Sequence, residues 1–195
     1  MHPLFATRGV PGTHDVALGT SILDAFLRGT AARLPRFDKG RDERLPEGDW
    51  PLLPRCCDLL VWEGWCLGAP PQTDEALAEP VNAREREEDP QGIWRGCVNA
   101  QLAGPYRALF ERMDLIAYLQ APSFETVFAW RRQQEEALRA ARPDAPGLMD
   151  EAALHRFIAL YERLTRHMIA VMPSRADLTL ALDAERRCRS VNRRG

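Results

Sequence analysis

Residues 59–68, LLVWEGWCLG, place a carboxylate where an apolar run ends. A short apolar run bounded by turn residues is typical of a strand buried on both faces, as parallel strands covered by helices are. Ligands of open α/β sheets bind in the crevice outside the carboxyl ends of such strands, so Glu63 is a candidate functional group. The alternative is that Glu63 ends the strand in solvent, and the strand pattern alone leaves both interpretations open.

The basic residues of the sequence exclude a Walker A phosphate-binding loop. Lys and Arg together number 26, and Lys39 is the single lysine among them. A Walker A loop of the form GxxxxGK[ST] needs a lysine followed by serine or threonine, whereas Gly40 follows Lys39. The sequence therefore contains no Walker A loop.

Cysteine and histidine spacing indicates neither a zinc site nor a disulfide framework. The five cysteines are an odd number without CxxC spacing. The four histidines lack HExxH spacing. Buried free thiols are therefore the expected state of the cysteines.

The elements that must position these residues alternate between helices and short strands. Capping and breaking residues predict a helix that Thr13 caps and Gly29 ends, a strand in DLIAYLQAP, two helices capped by Ser123 and Asp150, and a strand in ADLTLALD. Another helical region is expected to kink at Gly104 and Pro105. This alternation predicts an α/β layer fold with a mostly parallel sheet.

Length and composition suit one soluble globular domain, with 195 residues of which 45% are hydrophobic and 28% charged. The net charge of -2 gives no electrostatic reason to expect nucleic acid or an anionic membrane as partner. No apolar segment approaches the roughly 20 residues that span a bilayer, and no signal-peptide pattern follows Met1. We therefore predict a cytoplasmic protein with no nucleic-acid or membrane partner.

Several longer motifs carry a family resemblance. RGVPGTHDVALG, LPRFDKGRDERLPEGDWP, VWEGWCLGAPPQ, APSFETVFAWRRQQE and YERLTRHM occur in this order. Together they resemble the glycerate kinase-like branch of the P-loop kinases, which is related to the uridine kinase, phosphoribulokinase and pantothenate kinase group. The resemblance covers about residues 3–183 and leaves residues 184–195 as a basic, frayed tail. It implies a P-loop NTPase-like three-layer fold and transfer of phosphate from ATP, with Mg²⁺, to a small hydroxylated acceptor, most often D-glycerate.

The resemblance is incomplete at its start. A family member would have a strand, a Walker A loop, a helix and a second strand ending in a DDFY-like motif before the region that here follows Met1. The expectation is thus a single incomplete P-loop kinase domain, residues 1–195, without its first strands and P-loop. A truncated gene product, a wrongly placed start, or half of a split enzyme completed by an N-terminal segment would each explain it.

The resemblance also implies roles for residues that follow the apolar run. Glu63 takes the Walker B-like position, where a carboxylate orients Mg²⁺-bound water or the acceptor, and Gly64 lets the backbone approach the ligand. Trp65 directly follows and is expected near a ligand.

Charged residues elsewhere receive roles in the same way. Asp38, Lys39 and Arg44 lie in the loop that closes over the acceptor in related kinases, where an arginine can bind a carboxylate bidentately; the alternative is a solvated charged loop. Arg131 lies in the lid segment, where an arginine stabilises the charge of the transferring phosphate. Its alternative is a surface ion pair with Glu135 at i+4.

Two functions of different classes remain open. The first is an ATP-dependent small-molecule kinase that depends on the missing segment. The second is a catalytically inactive remnant, or a binding module that keeps the acceptor-loop residues without nucleotide binding.

Overall fold

The computed structural model describes residues 2–38, 43–53, 58–143 and 148–194. Two compact units divide the chain: a small unit of Asp15–Gly64 and a large unit of Met1–His14 with Trp65–Gly195. None of the described helices is both long enough and apolar enough to cross a membrane.

The small unit begins with helix α1, Val16–Leu27. Its cap is Asp15, whose carboxylate accepts the backbone N–H of Leu18 over 3.0 Å. The prediction of Thr13 as the cap is wrong, because the Thr13 hydroxyl accepts the Gly9 N–H and donates to the Val10 carbonyl, both over 2.8 Å. Gly29 follows the helix with a φ of 62°, which favours glycine, and ends it as predicted.

A short antiparallel ribbon follows in the small unit. Strands β1, Phe37–Asp38, and β2, Glu43–Arg44, pair so that Phe37 lies opposite Arg44 and Asp38 opposite Glu43. A 3₁₀ turn, Glu47–Asp49, comes next, and the Trp50 indole donates to the Leu45 carbonyl over 2.7 Å. These contacts order part of the proline-rich stretch between α1 and the apolar run.

The strand predicted in residues 59–63 is wrong, because these residues are neither strand nor helix. Leu59 and Val61 are 77% and 79% exposed, and Trp62 is exposed as well. An apolar run becomes a buried strand only where neighbouring strands accept its backbone groups. Among the described residues no strand pairs with it.

The large unit contains a sheet of three described strands in the order β3-β4-β5: Ala117–Gln120, Leu178–Leu182 and Cys188–Arg193. Strands β3 and β4 are parallel, whereas β4 and β5 are antiparallel. The α/β class is confirmed, and the sheet is mixed over the described residues. Strands β3 and β4 confirm the prediction, but residues 188–193 form a strand where a frayed tail was expected.

The turn between β4 and β5 explains that difference. The carboxylate of Asp183 accepts the backbone N–H groups of Glu185 and Arg187 over 3.0 and 2.8 Å. Arg186 adopts a φ of 63° in the same turn. Local side-chain to backbone hydrogen bonds thus return the basic segment onto β4, which composition alone does not reveal.

Six helices of the large unit are described: α2, Asp74–Ala78; α3, Ala83–Glu88; α4, Ile93–Gln101; α5, Arg107–Phe110; α6, Phe124–Ala141; and α7, Glu151–Val171. Ser123 and Asp150 cap α6 and α7, as predicted. The expected kink is a π-helical turn, Leu102–Tyr106, that contains Pro105 and joins α4 to α5.

The core of the large unit consists of two buried apolar clusters. The first contains Leu4, Val10, Trp94 and Leu160, and the second contains Phe124, Leu154 and Ile158. Helix α7 contributes to both clusters, which therefore fix it against the start of the chain and against α6. This places one face of α7 beside residues 7–14, called the 7–14 loop below.

Candidate functional site

Glu63 and Gly64 lie at the end of the small unit, and both are exposed. The solvated alternative for Glu63 therefore agrees with its surroundings, while its role toward Mg²⁺ or an acceptor stays a prediction. Among the described residues, no group of three His, Cys, Asp or Glu side chains is arranged to hold a metal ion.

The acceptor-loop residues lie on the β1–β2 ribbon of the small unit. Asp38 is half-buried on β1, and Arg44 is exposed on β2. The Arg44 guanidinium binds the Asp15 carboxylate over 3.0 Å. The hydrogen bond from the Leu18 N–H and the contact with Arg44 lower the pKa of Asp15 below its usual range. Arg44 thus ties the ribbon to the start of α1, and Lys39 lies outside the described residues.

Trp65 is the first residue of the large unit after the small unit in sequence. Its side chain packs against the first apolar cluster. Its indole N–H donates to the Gly9 carbonyl over 2.8 Å. Its ring lies edge-on to Tyr161, with centroids 5.2 Å apart. The Tyr161 hydroxyl donates to the Arg8 carbonyl over 2.9 Å. Two aromatic side chains distant in sequence therefore hold consecutive carbonyl groups of the 7–14 loop.

Gly9 makes this close approach possible. Its φ is 130°, and a Cβ at this position would lie 2.7 Å from the Tyr161 hydroxyl oxygen. Any other residue would be strained and would displace the tyrosine. The glycine is therefore required for the tyrosine contact.

Arg131 lies on α6, where it contacts an aromatic side chain of α7. Its guanidinium lies 5.7 Å from the centroid of the Phe157 ring, which in turn lies 5.1 Å from the Tyr161 ring. It also pairs with Glu135 over 3.1 Å, so the i+4 pair is present. The buried Glu135 carboxylate is itself fixed by the Met149 N–H over 2.8 Å. The pair orients the Arg131 side chain beside the aromatic row formed by Trp65, Tyr161 and Phe157.

Two cationic side chains affect the pKa of the Tyr161 phenol. Burial raises its pKa, and the nearby guanidinium groups of Arg8 and Arg131 oppose that rise. Because Arg8 belongs to the loop and Arg131 to α6, two different elements bring positive charge to the same aromatic group.

A second polar contact lies at the other end of the 7–14 loop. The hydroxyl of Tyr106, from the π turn, lies 2.7 Å from His14 Nδ1 and accepts the Gly12 N–H over 3.0 Å. Partial burial and the charge of Arg8 lower the pKa of His14. Burial also acts on Tyr106, where it raises the pKa of the phenol. The imidazole is therefore favoured in its neutral form beside Arg8.

Of the predicted site residues in the large unit, the structure brings Trp65 and Arg131 to one aromatic row. In the small unit it places Asp38 and Arg44 on paired strands. Sequence reasoning assigned no role to Arg8 or Gly9, although both belong to a quoted motif. The two glycines of RGVPG are the signal that marks a tight loop with positive φ.

Tyr161 is the residue of the YERLTRHM motif that belongs to the aromatic row, whereas Arg163 of the same motif makes a structural contact. Arg163 forms a buried pair with Glu85 of α3. Arg95 of α4 forms another buried pair with Asp89 over 3.1 Å. The Arg163 pair connects α3 to α7, and the Arg95 pair connects α4 to the residues that follow α3. Both pairs stabilise the surroundings of the helix that carries Tyr161.

Comparison with known proteins gives matches over most of the chain. A protein named "Uncharacterized kinase mug58" from Schizosaccharomyces pombe is 34% identical over 71% of this chain and 52% of its own length. The chloroplastic D-glycerate 3-kinase of Arabidopsis thaliana is 28% identical over 94% of this chain and 41% of its own length. "Probable ATP-dependent kinase TDA10" from Saccharomyces cerevisiae is 28% identical over 98% of this chain and 68% of its own length. No protein-family model matches the chain.

The chain spans about half the length of the first two of these relatives. Among solved structures, D-glycerate 3-kinase from Cryptococcus neoformans matches with a TM-score of 0.77, at 22% identity, over 99% of this chain and 71% of its own. That likeness establishes the fold, and the sequence matches establish the relationship. The chain is thus similar to kinases that include a D-glycerate 3-kinase.

Proposed function

We propose that the chain forms the acceptor-binding part of an ATP-dependent kinase that phosphorylates a small hydroxy acid, with D-glycerate as the first candidate. The observation that carries this proposal is the similarity to a D-glycerate 3-kinase over 94% of the chain. We infer that residues 1–195 belong to one P-loop kinase domain that works in the cytoplasm.

The geometry of the large unit supports the acceptor side of this reaction. The aromatic row offers an apolar surface for a short carbon chain, and Arg131 stands at its end. A guanidinium can bind carboxylate or phosphate oxygens through two parallel hydrogen bonds. We infer that Arg131 stabilises the charge of the transferring phosphate.

The residues of this chain fit ATP and Mg²⁺ only in part. The sequence contains no GxxxxGK[ST] motif, so the Walker A phosphate cradle is not made by these 195 residues. Glu63 is an exposed carboxylate, and Mg²⁺ in kinases is held by one or two carboxylates together with water and substrate phosphates. We infer that Glu63 contacts Mg²⁺ through water and that a complementing segment supplies the phosphate cradle.

A second candidate function is a non-catalytic remnant or a binding module. The same missing motif favours it, because phosphoryl transfer depends on positioning and charge neutralisation that the Walker A loop supplies. The module would bind the hydroxy acid without turning over ATP.

The experiment that separates the two begins with the DNA upstream of the Met1 codon. If an in-frame GxxxxGK[ST] is present, the protein of the longer frame is assayed for ATP-dependent phosphorylation of D-glycerate, with glycerol as the uncharged control. We expect transfer to D-glycerate. A folded longer protein that phosphorylates no small hydroxy acid would refute the kinase proposal.

The 195-residue chain is tested in parallel by titration with MgATP. We expect no binding in the micromolar range, because the cradle for the phosphates is missing. Micromolar binding by this chain alone would show that it holds phosphates by another route and would remove the need for a complementing segment.

A further inference from the structure

The hydroxyl group of Tyr106 is held in a fixed position by its surroundings. The side chain is buried, and its ring lies edge-on to Phe110 with centroids 5.8 Å apart. The backbone N–H of Gly12 donates to the hydroxyl oxygen over 3.0 Å, and a backbone N–H can only donate. Tyr106 is therefore the acceptor in this contact, and its own proton is directed to another group.

The other partner of the Tyr106 hydroxyl is the imidazole of His14. Its Nδ1 lies 2.7 Å from the hydroxyl oxygen, and no second acceptor for the Tyr106 proton is found among the described residues. If Nδ1 carried a proton, the buried O–H would have no acceptor, which is unfavourable. The geometry thus favours donation from the hydroxyl to Nδ1. The hydrogen bond at one imidazole nitrogen determines which nitrogen carries the proton, so a neutral His14 carries it on Nε2.

The position of the imidazole is fixed by the same neighbours. The His14 ring lies edge-on to the Tyr106 ring, with centroids 6.0 Å apart. Gly12 adopts a φ of 100°, which favours glycine and brings the loop backbone to the Tyr106 hydroxyl. Partial burial lowers the pKa of His14, in agreement with a neutral ring.

The Nε2 side of His14 is open to a ligand. The residue is exposed, and over the part of the chain that the structure describes Nε2 has no hydrogen-bond partner. At the other end of the 7–14 loop, the Gly9 carbonyl contacts Trp65 of the aromatic row. The loop therefore carries both a contact to the aromatic row and an exposed N–H donor whose position is preorganised.

We propose that Tyr106 holds His14 as the neutral Nε2–H tautomer and that this N–H donates a hydrogen bond to an oxygen atom of a bound hydroxy acid. Tyr106 is then a positioning residue, and His14 is a contact of the ligand. The identity of the ligand rests on the proposed function, whereas the tautomer of His14 does not depend on it.

Nitrogen-15 NMR of the imidazole at about pH 8, where histidine is ordinarily neutral, measures the tautomer. We expect His14 Nδ1 to resonate as an unprotonated nitrogen and Nε2 as a protonated one. Tyr106→Phe keeps the ring but removes the hydroxyl, and should shift both resonances toward those of a free histidine. Tyr118→Phe, at a half-buried tyrosine of β3, is the matched control and should leave them unchanged. A protonated Nδ1 in the wild-type chain would overturn the tautomer.

Titration calorimetry of the purified chain with D-glycerate tests the ligand contact through two replacements of His14. The amide nitrogen of Gln can take the place of Nε2, whereas the amide oxygen of Asn can take the place of Nδ1. His14→Gln should therefore stay within about twofold of the wild-type affinity. His14→Asn keeps an acceptor for Tyr106 but loses the donor, and should bind about 3- to 10-fold more weakly, as expected for one neutral hydrogen bond.

Two different failures can be told apart. If the wild-type chain binds D-glycerate and His14→Asn binds it equally tightly, the proposed function stands and the ligand contact of His14 is wrong. If the folded wild-type chain does not bind D-glycerate, the acceptor part of the proposed function fails and the ligand contact fails with it, while the NMR result still decides the role of Tyr106. Because His14 is exposed, neither replacement should unfold the chain, and thermal unfolding of each variant checks this.

Discussion

Arg163 and Glu85 are joined by two parallel hydrogen bonds inside the large unit. The Arg163 Nε donates to one carboxylate oxygen over 2.8 Å, and a terminal nitrogen donates to the other over 2.7 Å. Further donors of Arg163 reach the carbonyl groups of Ala76 and Glu79. Since these acceptors lie in and beside α2 and α3, the pair holds that segment against α7.

Replacing the Glu85 carboxylate should therefore destabilise the folded chain. Glu85→Gln keeps the shape of the side chain but leaves a buried guanidinium without its counter-charge, which should lower the free energy of unfolding by about 3–5 kcal/mol. Chemical denaturation measures the change. Glu87→Gln, on the exposed side of the same helix, is the control and should stay within about 0.5 kcal/mol of wild type. Equal losses in both variants would contradict the role of the buried pair.

Glu125 should titrate at unusually low pH. The hydrogen bond from Arg166 is the main cause that lowers the pKa of Glu125 to about 2. Because the pKa is lower in the folded state, the carboxylate contributes stability at neutral pH and loses that contribution as the pH falls toward 2. Carbon-detected NMR titration should show this midpoint, and Arg166→Gln should move it back toward 4.5, the ordinary value. An unchanged midpoint in Arg166→Gln would show that Arg166 is not the cause.

Acidification should destabilise the chain through two histidines. Burial lowers the pKa of His14 and of His167, the latter beside the Pro70 carbonyl, below 6.5. Below that value the unfolded state binds more protons than the folded state, so the free energy of unfolding falls until the folded histidines are protonated too. His167→Gln should reduce this loss, measured by denaturation between about pH 7 and pH 5. An unchanged pH dependence in His167→Gln would contradict the role of this histidine.

The described cysteines should differ in reactivity. Burial raises the pKa of the Cys66 thiol to about 11, whereas Cys97 and Cys188 are exposed. The thiolate is the reactive form, so iodoacetamide at neutral pH should label Cys97 and Cys188 and spare Cys66. Peptide mass mapping measures the order of labelling. Labelling of Cys66 in the folded chain as fast as that of Cys97 would contradict its burial.

Local signals predict α1, the kinked α4–α5 region, α6, α7 and two strands, but they miss the short helices α2 and α3. Ser123 and Asp150 cap α6 and α7 because a side-chain oxygen and a nearby N–H suffice for a cap, and both are adjacent in sequence. Apolar runs between breaking residues predict strands β3 and β4. Residues 59–63 are also an apolar run but form no strand, because a strand also needs a partner that its own sequence does not encode.

The candidate site was predicted less completely, for the same reason. Trp65 and Arg131 were named because they belong to recognised motifs, and the structure brings both to the aromatic row. The contact between Tyr161 and Arg8 joins residues 153 positions apart, and no local pattern in either segment encodes that distance. Only the glycine at position 9 marked the place where another group must approach the backbone.

The π-helical turn Leu102–Tyr106 changes the helical register between α4 and α5. A π turn holds about one residue more than an α turn, so every later residue is rotated by about 100° relative to an uninterrupted α-helix. Removing a single residue such as Ala103 would restore the α register and turn the Tyr106 hydroxyl away from Gly12 and His14. The length of this one turn therefore determines whether the far end of the 7–14 loop has a hydrogen-bonding partner at all.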